Sequence, residues 1–323
     1  MIKAAVLGST GVVGQYITYY LSKSKFYQPV VLVSSKKMLL KDQWKLPYYP
    51  EFLDHAETMP YSIETLKKNG VEIAFSALPA ETANIIEKEC IENGIVVISN
   101  SSNMRLNDNV PLVIPEINGK NIEGKVKIIK TPNCTTSGIA LVLHALGKAE
   151  IQIKEVFAST YQSLSGNPKQ PSYQIFGNII PFIPNEEEKI QKESNKILNQ
   201  NIKINVSVAR VNVSVGHLIS LFIKLDKKYD LSEIEKAFKM PTVKLPSSPK
   251  ELFKVFNEND RPQPLLDSWL MPTDPIPGMM VCVGRMQLKE RVLRMYVLVN
   301  NLIRGAAGGT ILNGELIYSN NLI

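Results

Sequence analysis

Over the first 130 positions, apolar residues come in short unbroken runs bounded by glycine or polar residues, a pattern that predicts buried parallel strands. The run at 2–7 ends in Gly8-Ser9-Thr10-Gly11-Val12-Val13-Gly14. Ile17, Tyr20 and Leu21 then follow at helical spacing, so the segment reads as strand, glycine turn and helix. Runs at 30–33, 71–76, 95–98 and 126–129 predict four more strands, with a helix over 81–93 between the third and fourth of the five. Strands alternating with helices in this way predict an α/β fold with a doubly wound parallel sheet.

The texture changes after position 134. A helix over 137–148 leads into longer strands at 156–161, 206–213, 218–225 and 292–299, which predicts an α+β domain on a largely antiparallel sheet. The segment 240–277 holds eight prolines and reads mostly as loop. Residues 304–310 are rich in glycine and alanine and lead to a terminal helix over 311–318.

Composition narrows the function classes. A chain of 323 residues with 44% hydrophobic content can build two ordinary cores. The net charge of +7 is spread among acids with no aromatic-studded basic stripe, so no nucleic-acid partner is expected, although the excess suits a site for phosphates and carboxylates. No run reaches the roughly 18 to 20 apolar residues of a membrane span, and the N-terminal run is too short for a signal peptide, so a cytoplasmic protein is expected. Cys90, Cys134 and Cys282 offer neither a disulfide framework nor metal spacing, and no metal is expected.

The glycine turn lets backbone amides of Gly8, Ser9, Thr10, Gly11, Val12 and Val13 approach a pyrophosphate at a helix N-terminus, although its GxxGxxG spacing departs from the commoner GxGxxG. The second strand ends in Ser34-Ser35-Lys36-Lys37 rather than in an acid that would grip ribose hydroxyls, which predicts NADP over NAD. Cys134, among polar Asn133, Thr135 and Thr136, stands between a strand and a helix, where the helix terminus would favour a thiolate nucleophile and its amides an oxyanion. Cys90 and Cys282 read as core residues. Of the three histidines, His144 sits within a helical run and His55 in a loop without supporting residues, whereas His217 follows Arg210, a strand and Gly216; His217 is the candidate acid–base group.

Taken in order, Gly8 to Gly14, Pro132-Asn133-Cys134-Thr135-Thr136, Gln162 with Ser165-Gly166, Glu186-Glu187-Glu188-Lys189-Ile190, Arg210 with Gly216-His217, and Gly305-Ala306-Ala307-Gly308 resemble aspartate-semialdehyde dehydrogenases of the archaeal and fungal type, over nearly the whole chain. The resemblance implies a Rossmann domain over 1–133 carrying NADP, rejoined by a terminal helix over 301–323, and a catalytic and dimerisation domain over 134–300. It implies that Cys134 attacks the semialdehyde, that His217 serves as acid and base, and that a thioester forms and is resolved by phosphate. Gln162 would orient the substrate, Arg210 would pair with its α-carboxylate, and Glu186 would face its ammonium. Arg105, Lys189 and Asn133 would hold phosphate, and Ser165, Gly166 and Asn301 would adjoin the cofactor. A homodimer or homotetramer is implied. The rival readings are a malonyl- or succinyl-CoA reductase using the same cysteine and histidine, and a non-catalytic NADP-binding regulator.

Overall fold

The computed structural model describes residues 1–167 and 175–322. The first part of the chain runs β1 (Ile2–Leu7), α1 (Val12–Leu21), β2 (Tyr27–Val33), β3 (Met38–Leu39), β4 (Glu57–Met59), α2 (Ile63–Lys68) and β5 (Ile73–Ser76). It continues with α3 (Ala80–Glu92), β6 (Val96–Ser99), α4 (Pro115–Asn118) and β7 (Ile128–Lys130). The seven strands lie in the order β3-β4-β2-β1-β5-β6-β7. Every neighbouring pair is parallel except β3 with β4. Because β1 is central, its carboxyl end lies beside those of β2 and β5: Gly8 N donates to Val33 O at 3.0 Å and Ala77 N to Leu7 O at 2.9 Å. Ligands of open α/β sheets bind at that edge, and here it carries the glycine turn.

The second part runs α5 (Cys134–Lys148), β8 (Ile153–Gln162), α6 (Glu186–Leu198), β9 (Lys203–Arg210), β10 (His217–Leu225), α7 (Leu231–Ala237), β11 (Phe253–Phe256), α8 (Pro264–Asp267), β12 (Val281–Lys289), β13 (Val292–Val299) and α9 (Gly308–Ser319). Its six-stranded sheet has the order β11-β12-β13-β10-β8-β9. The pairs among β12, β13, β10 and β8 are antiparallel, while β8–β9 and β11–β12 are parallel. Strict alternation along β8 sends Val156, Ala158, Thr160 and Gln162 to the buried face and Phe157, Ser159 and Tyr161 outward. The apolar face of α5 packs with the inward residues Ile219, Leu221, Met295 and Val297 in one core.

Helix α9 is buried along almost its whole length and returns to the first sheet, where Ile311, Leu312, Leu316 and Ile317 share a core with Ile17, Tyr27 and Phe75. Tyr27 Oη donates to Gly314 O at 2.6 Å, a contact close enough that a β-carbon at Gly314 would stand 2.8 Å from the Phe75 ring. Ile323, the last residue of the expected 301–323 segment, lies outside the described residues. Among the described residues no helix is long and apolar enough to cross a membrane.

Several boundaries differ from the sequence expectation. Helix α5 begins at Cys134, not 137, because the Asn133 side chain caps it and draws the two threonines into the first turn. Strand β9 covers Lys203–Arg210 rather than 206–213; beyond Arg210 the chain turns back toward Gly216, at φ +97°. The proline-rich 240–277 stretch contains β11 and α8. The glycine-rich lead-in is itself helical, a π-turn over Ile303–Ala307 running straight into α9. The 36–61 stretch, to which the sequence pattern gives no element, supplies β3 at the sheet edge and β4 beside it, and buries Leu40, Leu46 and Leu53 beside α1. Gln15 clamps it to the glycine turn, its Nε2 donating to Thr10 O at 2.9 Å and Gln43 O at 2.7 Å while its Oε1 accepts from Lys45 N at 2.8 Å.

Candidate active site

The glycine turn is built from the sequence outward. Gly8 takes φ +83°, a region that favours glycine, and a β-carbon on Gly14 would stand only 2.8 Å from Gly8 C. Ser9 Oγ and Ser9 N both donate to Val33 O, at 3.0 and 2.9 Å, so Ser9 pins the turn to β2. No side chain caps α1 at Gly11, which leaves the first-turn amides facing the sheet edge, an arrangement that fits an anionic group. At the end of β2, Ser34 turns inward, its Oγ 2.5 Å from Lys36 O and 2.9 Å from Thr58 Oγ1, while Ser35 and Lys36 stay exposed.

Cys134 is the first residue of α5. Asn133 Oδ1 accepts from Thr135 N at 2.8 Å and Thr136 N at 3.2 Å, so those two amides are spent on the cap and are not available to an oxyanion as expected. The pull of the helix terminus on the thiol is outweighed. Burial, with the Glu186 carboxylate adding to it, pushes Cys134 up to about 12, although Arg105, the Thr135 amide and Arg210 pull the other way. Gly305 of the π-turn lies against Cys134, where a β-carbon would stand 2.6 Å from Cys134 Cα.

The ends of three adjacent strands bring in the next group. Gln162 closes β8 and pairs in register with Arg210 at the end of β9, and His217 opens β10. His217 is fully buried, and burial followed by the Arg210 charge pushes it down to about 3. Its Nδ1 accepts from Ser163 N at 3.1 Å, so the hydrogen-bond pattern assigns the proton of the neutral ring to Nε2, which is buried without a partner. Arg210, also buried, donates from Nη1 to Ser163 O at 2.7 Å; its Nε is unpartnered, and no carboxylate stands within ion-pair distance of it among the described residues. Gly166 lies over both groups, since a β-carbon there would stand 2.6 Å from Arg210 Nη1 and 3.1 Å from His217 Cε1.

Glu186 opens α6. Its Oε1 accepts from Asn133 Nδ2 at 2.8 Å and Gln162 Nε2 at 3.1 Å, and no cation forms an ion pair with it among the described residues. The Asn133 side chain is thus engaged through both its oxygen and its nitrogen, with one Nδ2 hydrogen left over for the phosphate that the resemblance implies. Asn301 is likewise engaged: its Oδ1 accepts from Gly216 N at 2.9 Å and Ser163 Oγ at 3.0 Å, and its Nδ2 donates to Ser165 Oγ at 2.9 Å. It ties the turn after β8 to the turn before His217.

Arg105 and Lys189 differ in their surroundings. Lys189 is half-buried with no side-chain partner among the described residues, whereas Arg105 is buried and donates to Glu193 Oε1 at 3.1 Å and Asn100 O at 2.8 Å. Glu193 escaped the sequence reading; its one signal is its place seven residues after Glu186, two helical turns along α6. Ser163 and Gln15 also went unread, being ordinary polar residues whose partners lie far away in the chain.

Comparison with known proteins gives the family. The family model "Semialdehyde dehydrogenase, NAD binding domain" matches residues 3–125, and "Semialdehyde dehydrogenase, dimerisation domain" matches 143–304. An aspartate-semialdehyde dehydrogenase of Archaeoglobus fulgidus is 35% identical, the match covering 98% of each chain. A malonyl-CoA reductase (NADP) of Metallosphaera sedula is 29% identical over 100% of this chain and 98% of its own. The crystal structure of the Candida albicans aspartate-semialdehyde dehydrogenase with NADP superimposes with a TM-score of 0.87 at 28% identity, covering both chains in full. The chain belongs to the semialdehyde dehydrogenase family, alongside the archaeal and fungal aspartate-semialdehyde dehydrogenases.

Proposed function

We propose that this protein is an NADP-dependent aspartate-semialdehyde dehydrogenase, interconverting L-4-aspartyl phosphate with L-aspartate 4-semialdehyde and phosphate in the biosynthesis of lysine, threonine, methionine and isoleucine. One observation carries the choice of substrate: among the described residues, a buried arginine without a carboxylate partner and a buried carboxylate without a cation partner face the same thiol. Buried charges require partners. Arg210 and Glu186 together complement an amino-acid zwitterion, Arg210 taking the α-carboxylate and Glu186 the α-ammonium. A malonyl or succinyl thioester has a carboxylate for Arg210 but no ammonium for Glu186.

In this reading Cys134 Sγ bonds to the reacting carbonyl carbon while the Nε2–H proton of His217 passes to the carbonyl oxygen and the vacated Nε2 takes the proton of the thiol, so that the imidazole stays neutral; Gln162 orients the carbonyl group through its amide. Bound NADP supplies hydride transfer at that carbon. Lys189 and the unpartnered Nε of Arg105 provide charge for the phosphate that resolves the thioester. The α1 amides at Val12 and Val13 would hold the cofactor pyrophosphate, with Ser35 and Lys36 at its 2′-phosphate and Ser165, Gly166 and Asn301 bounding the nicotinamide side.

We also read residues 1–133 with 301–323 as one domain and 134–300 as the other, the second assembling as a homodimer or a tetramer of such dimers. Its matched dimerisation model and the exposed Phe157, Tyr161 and Phe222 on the open sheet face support this. All three cysteines are free, which fits a cytoplasmic enzyme. Purified protein should form NADPH from the semialdehyde only when phosphate is present, and with higher catalytic efficiency for NADP than for NAD. Efficient NADPH consumption with malonyl-CoA or succinyl-CoA and negligible semialdehyde activity would install the CoA reductase instead. Inactivity in both assays would leave a nucleotide-binding regulator.

A further inference from the structure

One face of α6 touches three parts of the site. Glu186 holds the side chains of Asn133 and Gln162, and one turn along, Lys189 stands with no side-chain partner among the described residues. Two turns from its start, Glu193 is almost wholly buried, with Oε1 accepting from Arg105 Nη1 at 3.1 Å and Oε2 accepting from Asn133 N at 2.7 Å. Lys196 then binds the backbone of the Arg105 loop, donating to Arg105 O at 2.9 Å, Asn107 O at 2.6 Å and Val110 O at 3.0 Å. Arg105 is therefore fixed at both its side chain and its carbonyl by one helix. A second buried cluster supports the loop from below: Lys130 Nζ donates to Glu87 Oε2 at 2.6 Å and to Asn103 Oδ1 at 2.8 Å.

We propose that Glu193 is a positioning residue, whose carboxylate joins the Arg105 guanidinium to the amide preceding the nucleophile and partly neutralises the arginine. The inference rests on Cys134 as the reactive thiol and Arg105 as the anion-facing cation. A carboxylate accepts from both donors at once, whereas a Gln in its place brings an amide that repels one of them. Glu193 thus fixes where Arg105 stands relative to Cys134 Sγ and how much positive charge the sulfur meets. The charges facing Cys134 from the packed elements are Glu186 on α6, Arg105 on the 100–105 loop and Arg210 on β9, with His217 on β10 neutral.

The test follows alkylation of Cys134 by iodoacetamide against pH, read at that residue by mass spectrometry, because this needs no substrate and separates failure of the inference from failure of the proposed activity. In E193Q the uncompensated Arg105 should move the midpoint down by about one pH unit. R105M should move it up by a similar amount. E193D, which keeps the charge, should stay near wild type although its reach is shorter, an outcome that a purely structural role does not give. In E193Q, kcat for the semialdehyde should fall about tenfold with KM for NADP unchanged, since the loosened Asn133 amide belongs to the nucleophile's turn and not to the cofactor's. A midpoint unchanged in E193Q, or raised as in R105M, overturns the proposal. If E193Q does not fold, E193D and R105M decide: a wild-type midpoint in the first and a raised one in the second support it, and equal midpoints in the two overturn it.

Discussion

Two glycines separate the cofactor's residues from the thiol's. A β-carbon at Gly14 collides with the carbonyl of Gly8, so Gly14→Ala forces the nucleotide turn apart without touching the second sheet. We expect NADP affinity to fall at least about tenfold by calorimetric titration, with Cys134 alkylated at the wild-type rate. A β-carbon at Gly305 meets Cys134 itself. Gly305→Ala should lower kcat by about 10² through a misplaced sulfur, with KM for NADP little changed; a variant that loses only NADP affinity would assign the π-turn to the cofactor. His217 gives a pH signature. In the unfolded chain it takes up a proton below about pH 6.5, while the folded protein refuses that proton until about pH 3. Its contribution to stability is therefore complete above pH 6.5 and declines as pH falls toward 3, by about 1.4 kcal/mol per unit. Urea midpoints of wild type and His217→Asn at pH 7 and pH 5 should show a smaller acid loss in the variant.

At the scale of elements, Asn133 holds α5, the helix that Cys134 opens, through both ends of its amide. Asn133→Ala removes the α5 cap and leaves Glu186 with one donor fewer, and should cost about 1 to 2 kcal/mol in urea unfolding. A loss below about 0.3 kcal/mol would mean that water replaces the cap. This cap also shows where sequence reading stops. Strands β1, β2, β5, β6 and β7 were legible because burial on both faces selects unbroken apolar runs, and α1 because it repeats at helical spacing around a glycine turn. Strands β3 and β4, of two and three residues, carry too few positions to show a period. Strand β11 was lost among prolines, because its pairing with β12 is parallel and long-range and leaves no local mark. The same distinction applies within the site. Cys134, His217 and Arg210 stand out by residue type, whereas Glu193 matters through partners 60 and 88 positions away and Ser163 through one 54 positions away.

In the whole molecule, the π-turn over Ile303–Ala307 packs against both α1, behind the glycine turn, and α5, at Cys134, while Gln162, Arg210 and His217 stand at the ends of β8, β9 and β10. The strands that aim these side chains have one face on α5 and the other open. Cross-strand rows on the open face place Phe157 beside Phe222 and Tyr161 beside Leu218, with Phe157 48% and Phe222 43% exposed. Aromatic rings paired at the centre of an exposed sheet face are the expected anchors of a symmetric interface, in which each copy presents the same patch to its partner. Replacing Phe222 by Glu puts two like charges into such an interface, one from each copy, and both lose water without gaining a partner. Light scattering should then give half the wild-type mass for Phe222→Glu. Because the same strands end in Gln162, Arg210 and His217, the variant should also lose kcat, while its NADP affinity, seated on the first sheet, stays near wild type. A variant that keeps the wild-type mass would move the interface to another surface.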